Sequence, residues 1–172
     1  MSDTEKKIPY EEKIVSKLLR LKLTVATAES CTGGLLAGRI VNVAGASDVF
    51  GTGFITYSNE AKKKYLKVSG KVLKKYGAVS AKCAKQMAEG AAKAAGADVG
   101  IATTGIAGPG GGTDEKPVGL VYIACTVCGR TKVKECRFEG DRQEVRRQSV
   151  EKALKMLNKC LSKMSTAAGD EL

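Results

Sequence analysis

Ser30 is the residue of this chain whose setting best suits covalent chemistry. It lies in residues 28–34 (AESCTGG), soon after the apolar run 23–26. The 172 residues include no histidine, so a nucleophilic Ser30 needs another side chain to take its proton. Lysine is the best-attested substitute for imidazole, and residues 57–62 (YSNEAK) supply Lys62. We therefore predict a serine nucleophile paired with a lysine base.

Lys62 can act as a base only if its pKa is lowered. At an ordinary pKa near 10.4, about four in ten thousand amines are neutral at pH 7. A pKa of about 7 requires the ammonium to be disfavoured by about 4 to 5 kcal/mol, which burial or a nearby cation can supply. At helical spacing Lys62 neighbours Ser58, Asn59, Tyr65 and Leu66, whereas Lys63 faces Glu60 and Lys67. We expect Lys62 on the drier side, and Lys63 and Lys64 in solvent.

Two further features next to Ser30 and Lys62 have a catalytic and a structural interpretation. Tyr57 is predicted to relay or donate a proton, although an aromatic residue at a strand end also suits a core. Free backbone N–H groups of Thr32, Gly33 and Gly34 are predicted to hold an oxyanion or a phosphate at a helix N-terminus. Alternatively, Ser30 and Thr32 simply cap that helix.

The glycine-dense segment 104–113 (TGIAGPGGGT) is predicted to bind substrate. It lacks the spacing and the Lys-Ser/Thr ending of a P-loop. The remaining interpretations of the segment are an anion-binding nest, a lid over the substrate or a plain flexible connection. Arg142, after Gly-Asp at the start of the last helix, is placed to meet a phosphate, unless it pairs with Asp141. The predicted substrate-binding residues here are Thr104, Gly105, Gly108, Gly110 and Arg142.

The elements that must position these residues alternate between strand and helix. Apolar spacing predicts helices over 8–20, 59–67, 71–76, 80–95 and 142–163, and a turn followed by a helix over 30–42. It predicts strands over 23–28, 49–57, 98–103, 118–127 and 131–138, the last two forming a hairpin. This order favours an α/β protein: a three-layer α/β/α sandwich with a mixed sheet of about five strands. We expect one domain over 1–172, with its core at about 8–163. Since ligands settle beyond the carboxyl ends of such strands, Ser30, Tyr57 and Thr104 are predicted to share one crevice.

The formal net charge of +11, from 29 basic and 18 acidic residues, suits an anionic partner. Nucleic acid, a membrane surface and an anionic small molecule all fit that charge. The lysines are scattered over the polar positions of amphipathic patterns and are not interleaved with aromatic residues, which is typical of solvated helix faces. We therefore expect a small nucleotide as the partner, and neither a nucleic acid nor a membrane.

The six cysteines are interpreted as free thiols, most of them buried. Cys125 and Cys128 form a CxxC pair, but no second pair and no histidine complete a metal site. No apolar run reaches the roughly 20 residues that span a bilayer, residues 1–7 are polar, and a final GDEL has no meaning without a signal peptide. We expect a cytoplasmic protein that uses no metal and no cofactor.

Four blocks of the chain together resemble the CinA C-terminal family, the nicotinamide-nucleotide amidases. They are residues 28–34, residues 57–62, residues 104–111 (TGIAGPGG) and residues 116–119 (KPVG), and the likeness covers about 8–163. The resemblance implies hydrolysis of nicotinamide mononucleotide to nicotinate mononucleotide and ammonia, with Ser30 as nucleophile and Lys62 and Tyr57 as helpers. A homo-oligomer is expected. A basic nucleic-acid-binding module and a non-catalytic nucleotide sensor remain the alternatives.

Overall fold

A five-stranded sheet forms the centre of the protein, with helices on both faces. The computed structural model describes residues 8–167. The strands are β1 (Val25–Glu29), β2 (Phe50–Ile55), β3 (Val99–Gly105), β4 (Leu120–Val127) and β5 (Arg130–Arg137). The helices are α1 (Tyr10–Leu21), α2 (Leu35–Val41), α3 (Asn59–Leu66), α4 (Gly70–Tyr76), α5 (Ala81–Ala95) and α6 (Arg142–Ala167). The tail 169–172 lies outside the described residues.

The sheet is mixed, and its order is β2-β1-β3-β4-β5. β1 runs parallel to both β2 and β3, whereas β4 is antiparallel to β3 and to β5. The strands that precede Ser30, Tyr57 and Thr104 are thus parallel, and their carboxyl ends meet at one edge of the sheet. The three-layer α/β/α sandwich with a five-stranded mixed sheet is confirmed.

The two faces of the sheet bury different side chains. One face packs aliphatic residues of the strands, among them Ile101, Val121 and Ile123, against α1, α2 and α6. The other presents alanines to α5, including Ala28 and Ala102. Small residues allow α5 to lie very close: a Cβ at Gly100 would sit 2.0 Å from the Ala88 carbonyl oxygen.

The same close packing positions α3, the helix that carries Lys62. A Cβ at Gly90 of α5 would lie 2.0 Å from the carbonyl oxygen of Leu66, so only glycine lets the end of α3 approach so closely. Leu66 is itself buried against α5. Glycine at position 90 therefore fixes how deeply α3 sits against the sheet.

Most predicted boundaries hold within two or three residues. The turn predicted after Ser30 extends through Gly33 and Gly34, and their left-handed φ angles of 59° and 101° delay the start of α2 from the expected Thr32 to Leu35. A short 3₁₀ turn at Ala46–Asp48 lies between α2 and β2. Ser80 caps α5 by accepting the Cys83 N–H.

The cysteines of the described residues are free thiols, as expected. Four are buried, Cys160 is half-buried and Cys128 is exposed in the β4–β5 turn. Within residues 8–167 there is no helix with the length and apolar character needed to cross a membrane.

Candidate active site

A cavity of about 280 Å³ opens at the carboxyl ends of the parallel strands. Its walls come from the turn after β1, the residues after β2, the end of β3, the glycine-rich loop and the start of α6. The structure thus brings Ser30, Tyr57, Lys62, Thr104 and Arg142 together. The other lining residues are Cys31, Ala78, Val79, Gly105, Ile106, Ala107, Gly108, Gly110 and Gly111.

Ser30 and Lys62 are in direct contact in this cavity. The Lys62 Nζ lies 3.0 Å from the Ser30 Oγ. It also donates to the backbone carbonyl oxygens of Thr56 at 2.7 Å and of Tyr57 at 3.2 Å. Lys62 is only 1% exposed, although it is a lysine. Residues 32 positions apart in sequence have become a buried hydroxyl–amine pair.

The three oxygen partners of Lys62 can satisfy either an ammonium or a neutral amine. Carbonyl oxygens can only accept hydrogen bonds, and a neutral amine has two N–H groups and one lone pair. When the Thr56 and Tyr57 carbonyls take the two N–H groups, the lone pair faces the Ser30 hydroxyl. Burial also lowers the pKa of Lys62 below its ordinary value, with the Cys83, Cys31 and Glu60 side chains as smaller opposing influences. Desolvation thus favours the neutral amine, and the 3.0 Å contact places it within reach of the Ser30 proton.

The position of Lys62 follows from how α3 begins. The Ser58 hydroxyl caps the helix by accepting the Ala61 N–H at 3.1 Å. Lys62 is then one turn into α3, on the side that packs inward, whereas Lys63 and Lys64 are exposed. The sequence prediction that Lys62 occupies the dry side is confirmed.

A buried carboxylate that sequence reasoning missed holds the Ser30 turn. Glu29, 1% exposed, accepts the N–H groups of Leu36 and Ala37 at 2.9 and 3.0 Å and the Thr32 hydroxyl at 2.6 Å. Anions are stabilised at helix N-termini, so Glu29 fills the site at the start of α2. An acidic residue shortly before a helix was the available sequence signal.

This arrangement changes the predicted roles of Thr32, Gly33 and Gly34. The Thr32 hydroxyl contacts Glu29 and Thr103 inside the protein, and the Gly33 N–H donates to the Ser30 carbonyl oxygen at 3.2 Å. These residues shape the turn behind Ser30 instead of lining the cavity, because the left-handed glycines delay the helix. The expected free N–H of Gly33 is therefore not available.

Arg146 of α6 is a second residue that the sequence did not reveal. Its guanidinium donates to the carbonyl oxygens of Cys31 at 3.0 Å and Thr32 at 3.1 Å. These contacts fix the backbone on the far side of Ser30. Since the two segments are more than 110 residues apart, no local pattern could have indicated them.

Cys31, next to Ser30, is a poor rival nucleophile. Its side chain is buried, and burial is the main reason that the pKa of its thiol rises to about 12. The reactive form of a cysteine is the thiolate, which this environment suppresses. A hydrogen bond from the Cys31 backbone N–H to the thiol opposes this rise only weakly.

Arg142 links the glycine-rich loop to Tyr57 at the cavity mouth. Its guanidinium donates to the Gly108 carbonyl oxygen at 2.8 Å and to the Tyr57 hydroxyl at 3.0 Å. Asp141, the alternative partner considered for Arg142, instead accepts the Glu144 N–H at the start of α6. Tyr57 is 62% exposed, so its side chain lies at the entrance while its carbonyl oxygen contacts Lys62.

The predicted glycine-rich residues lie around the same cavity. Gly108 and Gly110 line it, and Thr104 donates its hydroxyl to the Ala78 carbonyl oxygen at 2.9 Å. A Cβ at Gly105 would approach Val121 to 2.5 Å, so that glycine is needed for packing as well. Among the described residues, the lining contains two basic side chains and no acidic one, which suits a small anionic ligand.

The chain matches a family model over most of its length. The model of the CinA C-terminal domain matches residues 7–161. A competence-damage inducible protein of Clostridium novyi (strain NT) is 56% identical over 152 residues, which are 88% of this chain and 37% of that protein. The chain thus spans well under half the length of this relative.

Solved structures of similar proteins share the fold. A competence/damage inducible protein from Agrobacterium tumefaciens has 45% identity and a TM-score of 0.86, covering 89% of this chain and 93% of that one. A CinA superfamily protein from Escherichia coli has 39% identity and a TM-score of 0.85, with 91% of each chain covered.

Proposed function

The chain belongs to the CinA C-terminal domain family, and on this premise we propose that it is a nicotinamide-nucleotide amidohydrolase. The substrate is nicotinamide mononucleotide, and the products are nicotinate mononucleotide and ammonia. The observation that carries the proposal is the 3.0 Å contact between the Lys62 Nζ and the Ser30 Oγ. Because both groups are buried, the amine can serve as a base and the hydroxyl as a nucleophile.

In the first half of the reaction, neutral Lys62 accepts the Ser30 proton as Oγ attacks the carboxamide carbon. The tetrahedral intermediate carries an oxyanion, to which we assign the backbone N–H of Cys31, the residue after the nucleophile, as a donor. Lys62, now an ammonium, returns its proton to the departing nitrogen, and ammonia leaves. The nicotinoyl group remains as an ester on Ser30.

In the second half, water replaces ammonia. Lys62 accepts a proton from the water, hydroxide attacks the ester carbon, and the proton returns to Ser30 Oγ as the nicotinate is released. Each turnover therefore begins and ends with a neutral amine and a free hydroxyl. The direct contact of Lys62 with Ser30 makes the direct route shorter than a relay through Tyr57, whose hydroxyl is bonded to Arg142.

The ribose phosphate is assigned to the cavity mouth. Arg142 offers a guanidinium, which suits phosphate, and the glycine-rich loop offers backbone at Gly108 and Gly110. The absence of acidic side chains from the lining removes repulsion toward a dianionic group. Tyr57, beside Arg142, completes this wall.

Ammonia release from nicotinamide mononucleotide is the decisive measurement. Ser30→Ala is expected to lower turnover by roughly 10⁴-fold while the protein remains folded, because the nucleophile is lost. Ser47→Ala, at an exposed serine, is the matched control and keeps the wild-type rate. Wild-type protein that binds the nucleotide without releasing ammonia would instead be a sensor, and near-normal turnover by Ser30→Ala would reject the mechanism.

A further inference from the structure

Six lysines that are scattered in sequence converge on a groove between β5 and α6, which we call the lysine groove. Its volume is about 620 Å³. The lysines are Lys132, Lys134, Lys152, Lys155, Lys159 and Lys163. The remaining lining residues are Val133, Met156 and Cys160. Six lysines therefore surround a concave surface whose lining, within residues 8–167, includes no acidic and no aromatic residue.

The two walls of the groove follow from secondary-structure periodicity. Lys132 and Lys134 are two residues apart on β5, so their side chains share one face of the edge strand. The α6 lysines recur at intervals of three and four from Lys152 to Lys163, which places them along one side of the helix. That row extends about 16 Å at 1.5 Å per residue.

The groove lysines repel one another. The charge of Lys134 is the main reason that the pKa of Lys152 falls below its ordinary value. Contact with Lys132 does the same to the pKa of Lys163. Within the described part of the chain, no carboxylate forms an ion pair with Lys132, Lys134, Lys152, Lys155 or Lys159. An anion between the two walls would relieve this repulsion.

We propose that the lysine groove binds the phosphate backbone of single-stranded nucleic acid without reading its bases. Six charges along about 16 Å exceed what one phosphate group can neutralise, whereas a strand repeats its charge at every nucleotide. Facing rows from β5 and α6 accept one strand between them, and a concave surface does not match a flat membrane. Since the lining offers no aromatic platform, the contact is electrostatic and independent of sequence.

The groove is separate from the Ser30 cavity. Arg142 of the cavity and Lys152 are ten residues apart on α6, a rise of about 15 Å. No residue lines both surfaces. The proposal therefore goes beyond amide hydrolysis, and a failure of one leaves the other standing.

Binding of a labelled oligothymidylate of about 20 nucleotides, followed by fluorescence anisotropy, tests the proposal. The groove variant combines Lys132→Gln, Lys134→Gln, Lys155→Gln and Lys159→Gln. The control variant removes the same charge at four exposed lysines of α3 and α4, by Lys63→Gln, Lys64→Gln, Lys71→Gln and Lys74→Gln. We expect an affinity loss of at least roughly 30-fold for the groove variant and less than about threefold for the control. Circular dichroism verifies that both remain folded.

Salt dependence gives a second, independent readout. For single strands, log K changes with log salt by about −0.7 per neutralised phosphate, so the groove variant should lose about 3 from the slope. Equal losses of affinity in both variants would mean that net charge alone causes binding and would overturn the proposal. Groove-dependent binding of polyglutamate or of anionic vesicles, without binding of the oligothymidylate, would also overturn it.

Cys160 serves as a reporter within the groove. Its hydrogen bond with Cys125, followed by the charges of Lys132, Lys163 and Lys159, lowers its thiol pKa to about 7 against the opposing effect of burial. It should therefore react readily with iodoacetamide near neutral pH. Oligothymidylate is expected to slow alkylation of Cys160 at least about fivefold and to leave the exposed Cys128 unchanged, as read by peptide mass spectrometry. Unchanged alkylation of Cys160 at saturating oligothymidylate would contradict the assignment.

Discussion

Two groups of lysines in this protein have pKa values below the ordinary value, for different physical reasons. Lys62 is buried beside Ser30, and desolvation is the main cause of its shift. In the lysine groove, Lys152 is shifted mainly by the charge of a neighbouring lysine. The first environment disfavours any charge, whereas the second disfavours only an excess of like charge. The same side chain is thus suited to catalysis in one region and to anion binding in the other.

The largest effect on activity is expected when the buried amine is removed. Lys62→Met keeps a long apolar side chain but no base, so ammonia release should fall by roughly 10² to 10⁴-fold. Lys63→Met, one residue away and exposed, is the control and should keep the wild-type rate. Equal rates for wild type and Lys62→Met would show that the buried amine is not the base.

The pH and salt dependence of the two regions should also differ. Because the neutral amine is the base and the pKa of Lys62 is lowered, kcat/KM should rise with pH up to that pKa and level off above it. Below it, the rate should fall about tenfold per pH unit. Raising salt from about 0.05 M to about 0.5 M should not shift the pH at which kcat/KM levels off, because salt screens buried groups little.

The groove lysines provide the contrast in the same salt series. Screening weakens repulsion between exposed charges, so salt should raise the pKa of Lys152 toward the ordinary value. NMR titration of the lysine side-chain carbons measures both regions. A shift of the Lys62-dependent pH profile with salt would contradict the physical distinction between the two regions. A Lys152 pKa that does not change with salt would contradict it as well.

A smaller effect is expected at the mouth of the Ser30 cavity. Arg142→Gln removes the guanidinium that contacts Gly108 and Tyr57 while leaving Ser30 and Lys62 intact. We expect KM for nicotinamide mononucleotide to rise about tenfold with kcat changed less than threefold. This is the result of losing an interaction that stabilises the bound substrate and the transition state equally. Arg147→Gln, at an exposed arginine on the same helix, is the control. A fall in kcat alone would assign Arg142 to the chemical step instead.

The smallest effect concerns the thiol beside the nucleophile. Since burial raises the pKa of Cys31 to about 12, its thiol should contribute nothing to attack on the amide. Cys31→Ala should keep kcat/KM within about threefold of wild type, at a cost of about 1 kcal/mol in the free energy of unfolding. A loss as large as that of Ser30→Ala would transfer the nucleophilic role to Cys31.

Local pattern was sufficient for the elements and for naming Ser30 and Lys62 as separate candidates. Alternation of strands and helices predicted the sandwich, and strand-end positions predicted the shared crevice. Helical spacing separated Lys62 from Lys63, because burial on a helix face repeats with the turn. The local pattern could not predict that α2 starts at Leu35, because this start depends on two left-handed glycines and on the Glu29 carboxylate.

The amino-acid sequence by itself determined the chemical inventory: a serine, a lysine that helical spacing places on a dry face, a glycine-rich loop and an excess of positive charge. Only the tertiary structure decided where these meet. It brought the Lys62 amine to the Ser30 hydroxyl, placed Arg146 behind the turn and gathered six scattered lysines into one groove. Periodicity specifies which face a residue occupies, but the neighbours of that face come from segments a hundred residues away, and their packing sets burial and repulsion.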